Sequence, residues 1–198
     1  LNGSVINHIA YDVHTQTLVI AYEDGMIDLL DDNGNIHSVA DIYLKQINAK
    51  QVQDIAFRDG KAYMAMPFGI VVMNIRKQEI TDTYYIGDEG AEVSVNAITL
   101  MGDSIYAASD NRLYRASLKD NLVDYAKWQS QFMPGTITNL IHNDGNLYML
   151  MDSAVYRNNL LLSAAEKFVS LSAYNGSLLA CTDDNRIFAV SATDVAEL

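Results

Sequence analysis

The sequence predicts an all-β fold, a β-propeller built from four-stranded antiparallel blades. Two observations lead to this prediction: one strand-turn-strand pattern occurs five times in 198 residues, and no long helical pattern interrupts it. When the copies are aligned, one apolar residue of each superposes, with separations of 46, 43, 42 and 31 residues: Ile9, Ile55, Ile98, Leu140 and Leu171. This spacing is typical of propeller blades.

The repeats define one expected domain over residues 1–198. We place them at about 5–44, 51–90, 94–130, 136–163 and 167–192. The first strand of each repeat alternates between two kinds of residue, so that Asp54 and Ala56 lie on one face and Ile55 and Phe57 on the other. A turn follows, containing residue types that tolerate positive φ: Asp59-Gly60, Gly102-Asp103, Asp144-Gly145 and Asn175-Gly176, with a longer connection at 14–16 in the first repeat.

The second strand is the most uniform part of the repeat and predicts how the blades pack. Tyr63, Tyr106 and Tyr148 share one position in it, and Leu179 takes that position in the fifth repeat. An aromatic residue at a repeated position indicates packing between adjacent blades. Small residues beside these positions would let neighbouring sheets approach closely.

The outermost strands decide whether the ring closes. They are predicted at 36–40, 80–86, 123–128 and 160–162, whereas the fifth repeat has no evident outer strand after Val190. Residues 163–167 and 193–198 are expected to form helical turns at most. The repeats either close imperfectly or form an arc of a larger ring in a longer protein, and the missing strand favours the arc. An unpaired edge would promote self-association.

Composition argues against several classes of function. The formal net charge of −12 would repel a phosphate backbone, so nucleic acid is not an expected partner. No apolar run approaches the roughly 18 residues that a spanning helix needs, so no transmembrane segment is expected. The single cysteine, Cys181, rules out a disulfide within the chain.

Motifs of the common catalytic and metal sites do not occur in the sequence. There is no G-x-S-x-G, H-E-x-x-H, Walker or G-x-G-x-x-G pattern, so we expect no enzyme and no cofactor. The four histidines, His8, His14, His37 and His142, occupy different positions of the repeat, which argues against a shared metal site. Two alternatives stay open: a weak divalent-cation site in the acidic connection 87–92, and a lyase or hydrolase that uses acidic channel residues.

Candidate ligand-binding residues lie near the start of the innermost strands, where the repeats present comparable side chains around one axis. All are polar, and the set is weakly acidic. They are Asn7, His8, Gln53, Asp54, Asn96, Asn139 and Ser170. The alternative is that these side chains only hydrate a narrow channel.

The repeat pattern resembles the two-component-regulator propeller repeats of Bacteroidetes proteins, although Tyr and small residues replace their Leu-Trp-Ile-Gly strand. The resemblance is closer to the amino-terminal propeller of PorZ-like proteins. It is carried by four segments: IAYD at 9–12, LVIAYEDG at 18–25, DTYYIG at 82–87 and VNAITL at 95–100. It covers nearly the whole chain but only part of such a protein.

This resemblance implies an exported protein that acts in the periplasm or at the outer-membrane surface with the type IX secretion machinery. PorZ-like proteins are associated there with the handling of anionic lipopolysaccharide and the anchoring of secreted cargo. The expected role is a non-enzymatic binding or assembly propeller, with proteins or a surface glycan such as lipopolysaccharide as partners. The alternative is the extracellular sensor propeller of a hybrid two-component system that recognises glycans. The family offers no catalytic motif to carry across.

Overall fold

The computed structural model describes residues 5–174 and 176–198, which form five sheets of four strands each. Every sheet consists of four consecutive strands, paired antiparallel in chain order. Strand alternation and tight turns favour this meander, because each strand can pair at once with the one before it. The five sheets are blades of a β-propeller, which confirms the predicted all-β class.

The blades are numbered in chain order. Blade 1 contains β1 (Ile6–Asp12), β2 (Thr17–Tyr22), β3 (Ile27–Asp31) and β4 (Ile36–Val39). Blade 2 contains β5 (Asp54–Arg58), β6 (Lys61–Met66), β7 (Gly69–Asn74) and β8 (Glu79–Tyr84). Blade 3 contains β9 (Ala97–Met101), β10 (Ser104–Ala108), β11 (Arg112–Ser117) and β12 (Gln129–Phe132). Blade 4 contains β13 (Ile137–Asn143), β14 (Asn146–Met151), β15 (Ala154–Arg157) and β16 (Leu160–Ser163). Blade 5 contains β17 (Phe168–Tyr174), β18 (Ser177–Thr182), β19 (Ile187–Val190) and β20 (Val195–Glu197).

The predicted turns adopt the backbone that their residues favour. Asp59 and Gly60 have φ values of 51° and 73°, and Asp144 and Gly145 have 45° and 72°. Two successive positive φ angles define a type I′ turn, whose twist matches that of the flanking strands. The turn predicted at Asn175-Gly176 includes Asn175, which lies outside the described residues.

Hydrophobic clusters hold successive blades together. Each contains the repeated apolar residue of the first strand, which faces the preceding blade: Ile55, Ile98, Leu140 and Leu171. Each also contains a residue from the uniform position of the second strand, which faces the following blade: Val19, Tyr63, Tyr106 and Tyr148. The predicted packing of tyrosines between blades is therefore confirmed.

The junction between blade 5 and blade 1 is different. Within the described residues, no hydrophobic cluster joins these two blades. Ile9 is 59% exposed, whereas its four equivalents are at most 9% exposed. Leu179, which occupies the tyrosine position of blade 5, is only half-buried and lies outside the cluster with blade 4. Blade 1 and blade 5 thus each keep, without a partner blade, one half of the hydrophobic interface that joins the other neighbouring blades.

Two outer strands differ from the sequence expectation. In blade 3 the prediction of a strand at 123–128 is wrong: a 3₁₀ turn forms at Tyr125–Lys127, and β12 follows it. The Asp124 carboxylate accepts a hydrogen bond from the Ala126 N–H at 3.0 Å, a cap that favours this turn over a strand. In blade 5, where we expected neither an outer strand nor anything beyond a helical turn at 193–198, β20 pairs with β19. Residues 164–166 likewise form no helix.

Candidate functional site

A cavity of about 360 Å³ lies where the innermost strands of blades 2 to 5 converge. Its polar lining side chains are Asp54, Thr99 and His142. The other lining residues are apolar: Ile55, Ala56, Phe57, Ile98, Leu100, Leu140, Ile141 and Ala173. Most of the side chains that line the axial channel are therefore apolar, and of the seven predicted ligand-binding residues only Asp54 lines it.

Asp54 begins the innermost strand of blade 2 and is bonded to two blades. Its carboxylate accepts a hydrogen bond from the N–H of Ile55 at 2.8 Å and another from the N–H of Ile98 in blade 3 at 2.9 Å. Burial raises the pKa of the carboxyl above its ordinary value of 3.8, while the two N–H groups and His8 act in the opposite direction. The side chain thus joins the first strands of neighbouring blades.

His8 on blade 1 interacts electrostatically with this carboxylate. It is half-buried on β1, where it pairs with Ala21. Burial lowers the pKa of the imidazole below 6.5, because a charged ring is poorly solvated there, and the nearby Asp54 carboxylate partly offsets the effect. The two predicted site residues are therefore electrostatically coupled across the junction of blades 1 and 2.

Asn7 and Asn96 also link neighbouring blades. Asn7 Nδ2 donates to the carbonyl of Val52 in blade 2 at 2.6 Å. Asn96 Nδ2 donates to Asp110 Oδ1 at 3.0 Å and, more weakly, to the carbonyl of Ile137 in blade 4 at 3.5 Å. Together with Asp54, these amides form a series of polar contacts from each of the first three blades to the next.

The remaining candidates, Gln53, Asn139 and Ser170, have no such contact. Gln53 is exposed and joins its sheet only through the main chain, with its N–H donating to the Ala65 carbonyl at 2.9 Å. Asn139 and Ser170 are half-buried and follow an irregular register at the start of β13 and β17. In the part of the chain that the structure describes, their side chains make no hydrogen bond. Their polar groups are therefore available to a ligand.

Sequence reasoning missed two features of this region. One is the β-bulge two positions before the repeated apolar residue in blades 1, 4 and 5, which falls at Asn7, Thr138 and Val169. The other is that the channel is lined mainly one and two positions after that residue, for example by Thr99 and His142. The aligned repeats contain these positions, whereas the prediction used the polar residues that precede the apolar one.

The described residues contain no candidate metal site and no candidate membrane-spanning helix. Across residues 5–174 and 176–198, no three His, Cys, Asp or Glu side chains are grouped so as to hold a metal ion. The acidic connection considered as a cation site contains a short 3₁₀ turn at Asp88–Gly90. No helix within the described ranges is both long and apolar enough to cross a bilayer.

Several solved structures share this fold. One is PorZ, described as an essential bacterial surface component of the type IX secretion system of Porphyromonas gingivalis: TM-score 0.83, 23% identity, covering 100% of this chain and 27% of PorZ. Another is the extracellular domain of a hybrid two-component system protein from B. thetaiotaomicron: TM-score 0.70, 17% identity, covering 99% of this chain and 28% of that one. A third is the computationally designed Ika8 protein: TM-score 0.67, 14% identity, covering 98% of this chain and 61% of that one. At these identities the likeness establishes the fold.

The family is established by a separate comparison. The chain spans 27% of the length of the PorZ structure, and a search of curated proteins found no match. A family model described as the PorZ N-terminal β-propeller domain of the type IX secretion system matches residues 1–129, close to two thirds of the sequence. The chain therefore belongs to the family of PorZ amino-terminal β-propeller domains.

Proposed function

We propose that this chain is a non-enzymatic binding or assembly propeller of an exported protein, acting at the cell surface or in the periplasm with the type IX secretion machinery. The observation that carries the proposal is the family match over residues 1–129. The P. gingivalis relative is a surface component of that system, which supports the location. Protein partners, or a surface glycan such as lipopolysaccharide, are the ligands we propose.

The chemistry of the channel supports a binding role over catalysis. Asp54 is the acid that a lyase or hydrolase would need, yet its carboxylate already accepts two main-chain N–H bonds. A general acid or base must be within reach of a substrate proton, and such bonding holds the carboxylate against the protein instead. Gln53, Asn139 and Ser170 stay our proposed ligand contacts, together with His8 and the three residues that bond neighbouring blades, Asn7, Asp54 and Asn96.

We also propose that residues 1–198 are one propeller domain whose ring is completed by further blades in a longer protein. The exposed Ile9 on blade 1 and the half-buried Leu179 on blade 5 support this, because their equivalents pack between blades elsewhere. A blade added at either face would bury the same repeated contact. The repeat bounds given above define the units of that domain.

The proposal is tested in the native organism with the full-length gene. In-frame removal of the region encoding this propeller should reduce the amount of type IX cargo on the cell surface, while the remaining protein is followed by immunoblot to exclude simple loss. Protease treatment of intact cells, compared with osmotically opened cells, should place the protein at the surface or in the periplasm.

The sensor alternative predicts a different result. Removal of a sensor propeller would leave cargo secretion unchanged and abolish a transcriptional response to a glycan. A triple variant, Gln53→Ala, Asn139→Ala and Ser170→Ala, refines the test, because it alters the unbonded channel-entrance side chains without touching the links between blades. Full secretion by that variant would place binding elsewhere on the propeller.

A further inference from the structure

A second cavity, of about 690 Å³, opens between blades 1 and 2 on the face that carries the turns after the first and third strands. It is lined by three segments: His14 and Thr15 between β1 and β2, residues 57–60 at the end of β5 and in the turn after it, and Asn74, Arg76 and Lys77 at the end of β7 and in the turn after it. This volume is in the range of small-molecule sites. None of the residues predicted from the sequence as ligand contacts lines it.

The charge of this cavity is opposite to that of the chain. Its lining includes Arg58, Arg76 and Lys77 but only one carboxylate, that of Asp59, although the chain as a whole carries −12. Arg58 is occupied, since its guanidinium bonds to the Gly102 carbonyl and lies 3.2 Å from an oxygen of Asp103. Arg76 and Lys77 are therefore the cations that face an incoming ligand.

Neither of these cations is held by a strong partner. Lys77 Nζ lies 3.7 Å from Glu79 Oε1 in a solvent-exposed pair, and such pairs contribute little. Arg76 forms no ion pair within the described residues. Both side chains are exposed at the edge of the cavity.

The turn that presents the two cations is well defined. Asn74 Oδ1 accepts the N–H of Lys77 at 2.9 Å, and the Asn74 carbonyl accepts the N–H of Gln78 at 2.8 Å. Gln78 adopts the left-handed region with φ 59°, which closes the turn. Arg76 and Lys77 are thus fixed side by side at the level of the main chain, and the half-buried Phe57 lines the same cavity.

An adjoining cavity extends the positive surface toward blade 3. It measures about 370 Å³, shares Arg58 and Asp59 with the first, and adds Lys61, Lys119 and the Asp103 carboxylate that pairs with Lys119. The two cavities together hold five of the 13 lysine and arginine residues of the chain. In an acidic protein this concentration focuses an attractive field for anions at one place.

We propose that the cavity between blades 1 and 2 binds a small organic phosphate through Arg76 and Lys77. A phosphate monoester carries nearly two negative charges at neutral pH, which matches the two weakly held cations Arg76 and Lys77. The guanidinium group of an arginine can also bind two phosphate oxygens at once. Phe57 supplies an apolar wall for the organic part. The inference rests on the proposed binding function and names a ligand class and a site for it.

The test uses isothermal titration calorimetry at low salt with defined probes: glucose 6-phosphate, glucose, glucuronate and inorganic phosphate. We expect glucose 6-phosphate to bind, inorganic phosphate and glucuronate to bind more weakly, and glucose not to bind. The double variant Arg76→Gln/Lys77→Gln should bind at least tenfold more weakly. Lys127→Gln, which removes an exposed cation of blade 3, should bind as the original chain does.

Three results would overturn the inference: no heat with glucose 6-phosphate at millimolar concentration, an equal loss in the Lys127→Gln control, or no loss in the double variant. Unchanged thermal unfolding of the double variant excludes misfolding as the cause of a loss.

Sedimentation with phosphatidic acid vesicles distinguishes a lipid headgroup from a soluble ester as the source of the phosphate. If the double variant loses phosphate binding yet supports normal cargo secretion, the site is real and the proposed secretion role does not depend on it. If secretion depends on the propeller but no phosphate binds, this inference alone fails.

Discussion

The carboxylate of Asp54 in blade 2 accepts a hydrogen bond from the main-chain N–H of Ile98 in blade 3 at 2.9 Å. Residues 44 positions apart in sequence are thereby joined between the innermost strands of neighbouring blades. The contact accompanies the hydrophobic cluster between the same two blades, which contains Ile98 itself. It gives the polar residues of the channel entrance a structural role that can be measured.

Replacement of Asp54 by Ala should lower the free energy of unfolding by about 2 kcal/mol, because the N–H groups of Ile55 and Ile98 would lose their acceptor. Asp54→Asn, which keeps one carbonyl oxygen, should cost about half as much. Gln53→Ala is the matched control, since this neighbouring side chain is exposed and should change stability by less than about 0.5 kcal/mol. Urea unfolding can be followed by the emission of Trp128, the one tryptophan, which is buried in the blade 2–3 cluster. Equal stability of Asp54→Ala and Gln53→Ala would contradict the assigned role.

His8 should make the protein less stable as the pH falls below about 6.5. Burial lowers the pKa of its imidazole in the folded state, so on acidification the unfolded chain takes up this proton first. The free energy of unfolding then decreases with falling pH by at most about 1.4 kcal/mol per pH unit, until the lowered pKa is reached. His8→Asn should remove this component, whereas His37→Asn, at an exposed position, should keep it. Parallel stability curves for the original chain and His8→Asn between pH 5 and 7 would exclude the effect.

Gly69→Ala should be among the most damaging single substitutions in blade 2. Gly69 has φ 147°, and an added Cβ would collide with the main-chain carbonyl oxygen of Tyr84 on the adjacent strand. We expect a loss of more than about 3 kcal/mol, because the main chain of two strands would have to move apart. Gly34→Ala serves as the control, since Gly34 also has positive φ, 84°, but meets no atom within 4 Å. It should cost only about 1 kcal/mol. Similar losses for both would show that the close approach has no energetic consequence.

The 198-residue chain should self-associate in a concentration-dependent manner through its two terminal blades. Ile9 on blade 1 and Leu179 on blade 5 are the halves of an interface that is otherwise repeated between blades, so a blade 5 face can accept the blade 1 face of another molecule. Ile9→Lys should shift the sedimentation profile toward monomer. Ile36→Lys is the control, because Ile36 is an exposed isoleucine on the outer strand of the same blade. A chain that stays monomeric at high concentration, or an equal effect of the two variants, would refute the prediction.

The architecture was largely predictable because its determinants are local. Alternation along the inner strands, glycine at turns that need positive φ and the shared position of Tyr63, Tyr106 and Tyr148 each depend on a few neighbouring residues. The outer strands β12 and β20 were missed because they are short and mostly exposed, so no apolar periodicity marks them.

The site was less predictable than the fold. The sequence identifies Asn7, Asp54 and Asn96 as polar residues near the axis, but their partners Val52, Ile98 and Ile137 lie 41 to 45 positions away. Whether such a side chain contacts a ligand or forms a hydrogen bond to the next blade depends on how the two sheets are placed relative to each other. The local sequence pattern does not determine that placement. The cations of the cavity between blades 1 and 2 were overlooked for the same reason, because three separate segments bring its lining together.

The four strands of every described sheet come from one contiguous stretch of chain, and no sheet contains a strand from the stretch that forms another sheet. The molecule is consequently modular in the literal sense: a repeat can be duplicated or excised within the connecting segments while each surviving sheet keeps all of its main-chain pairing. Such an event changes only the contacts between the two blades that become neighbours. Gain and loss of whole units is thus a short evolutionary path from one propeller size to another, and a practical route for engineering this scaffold.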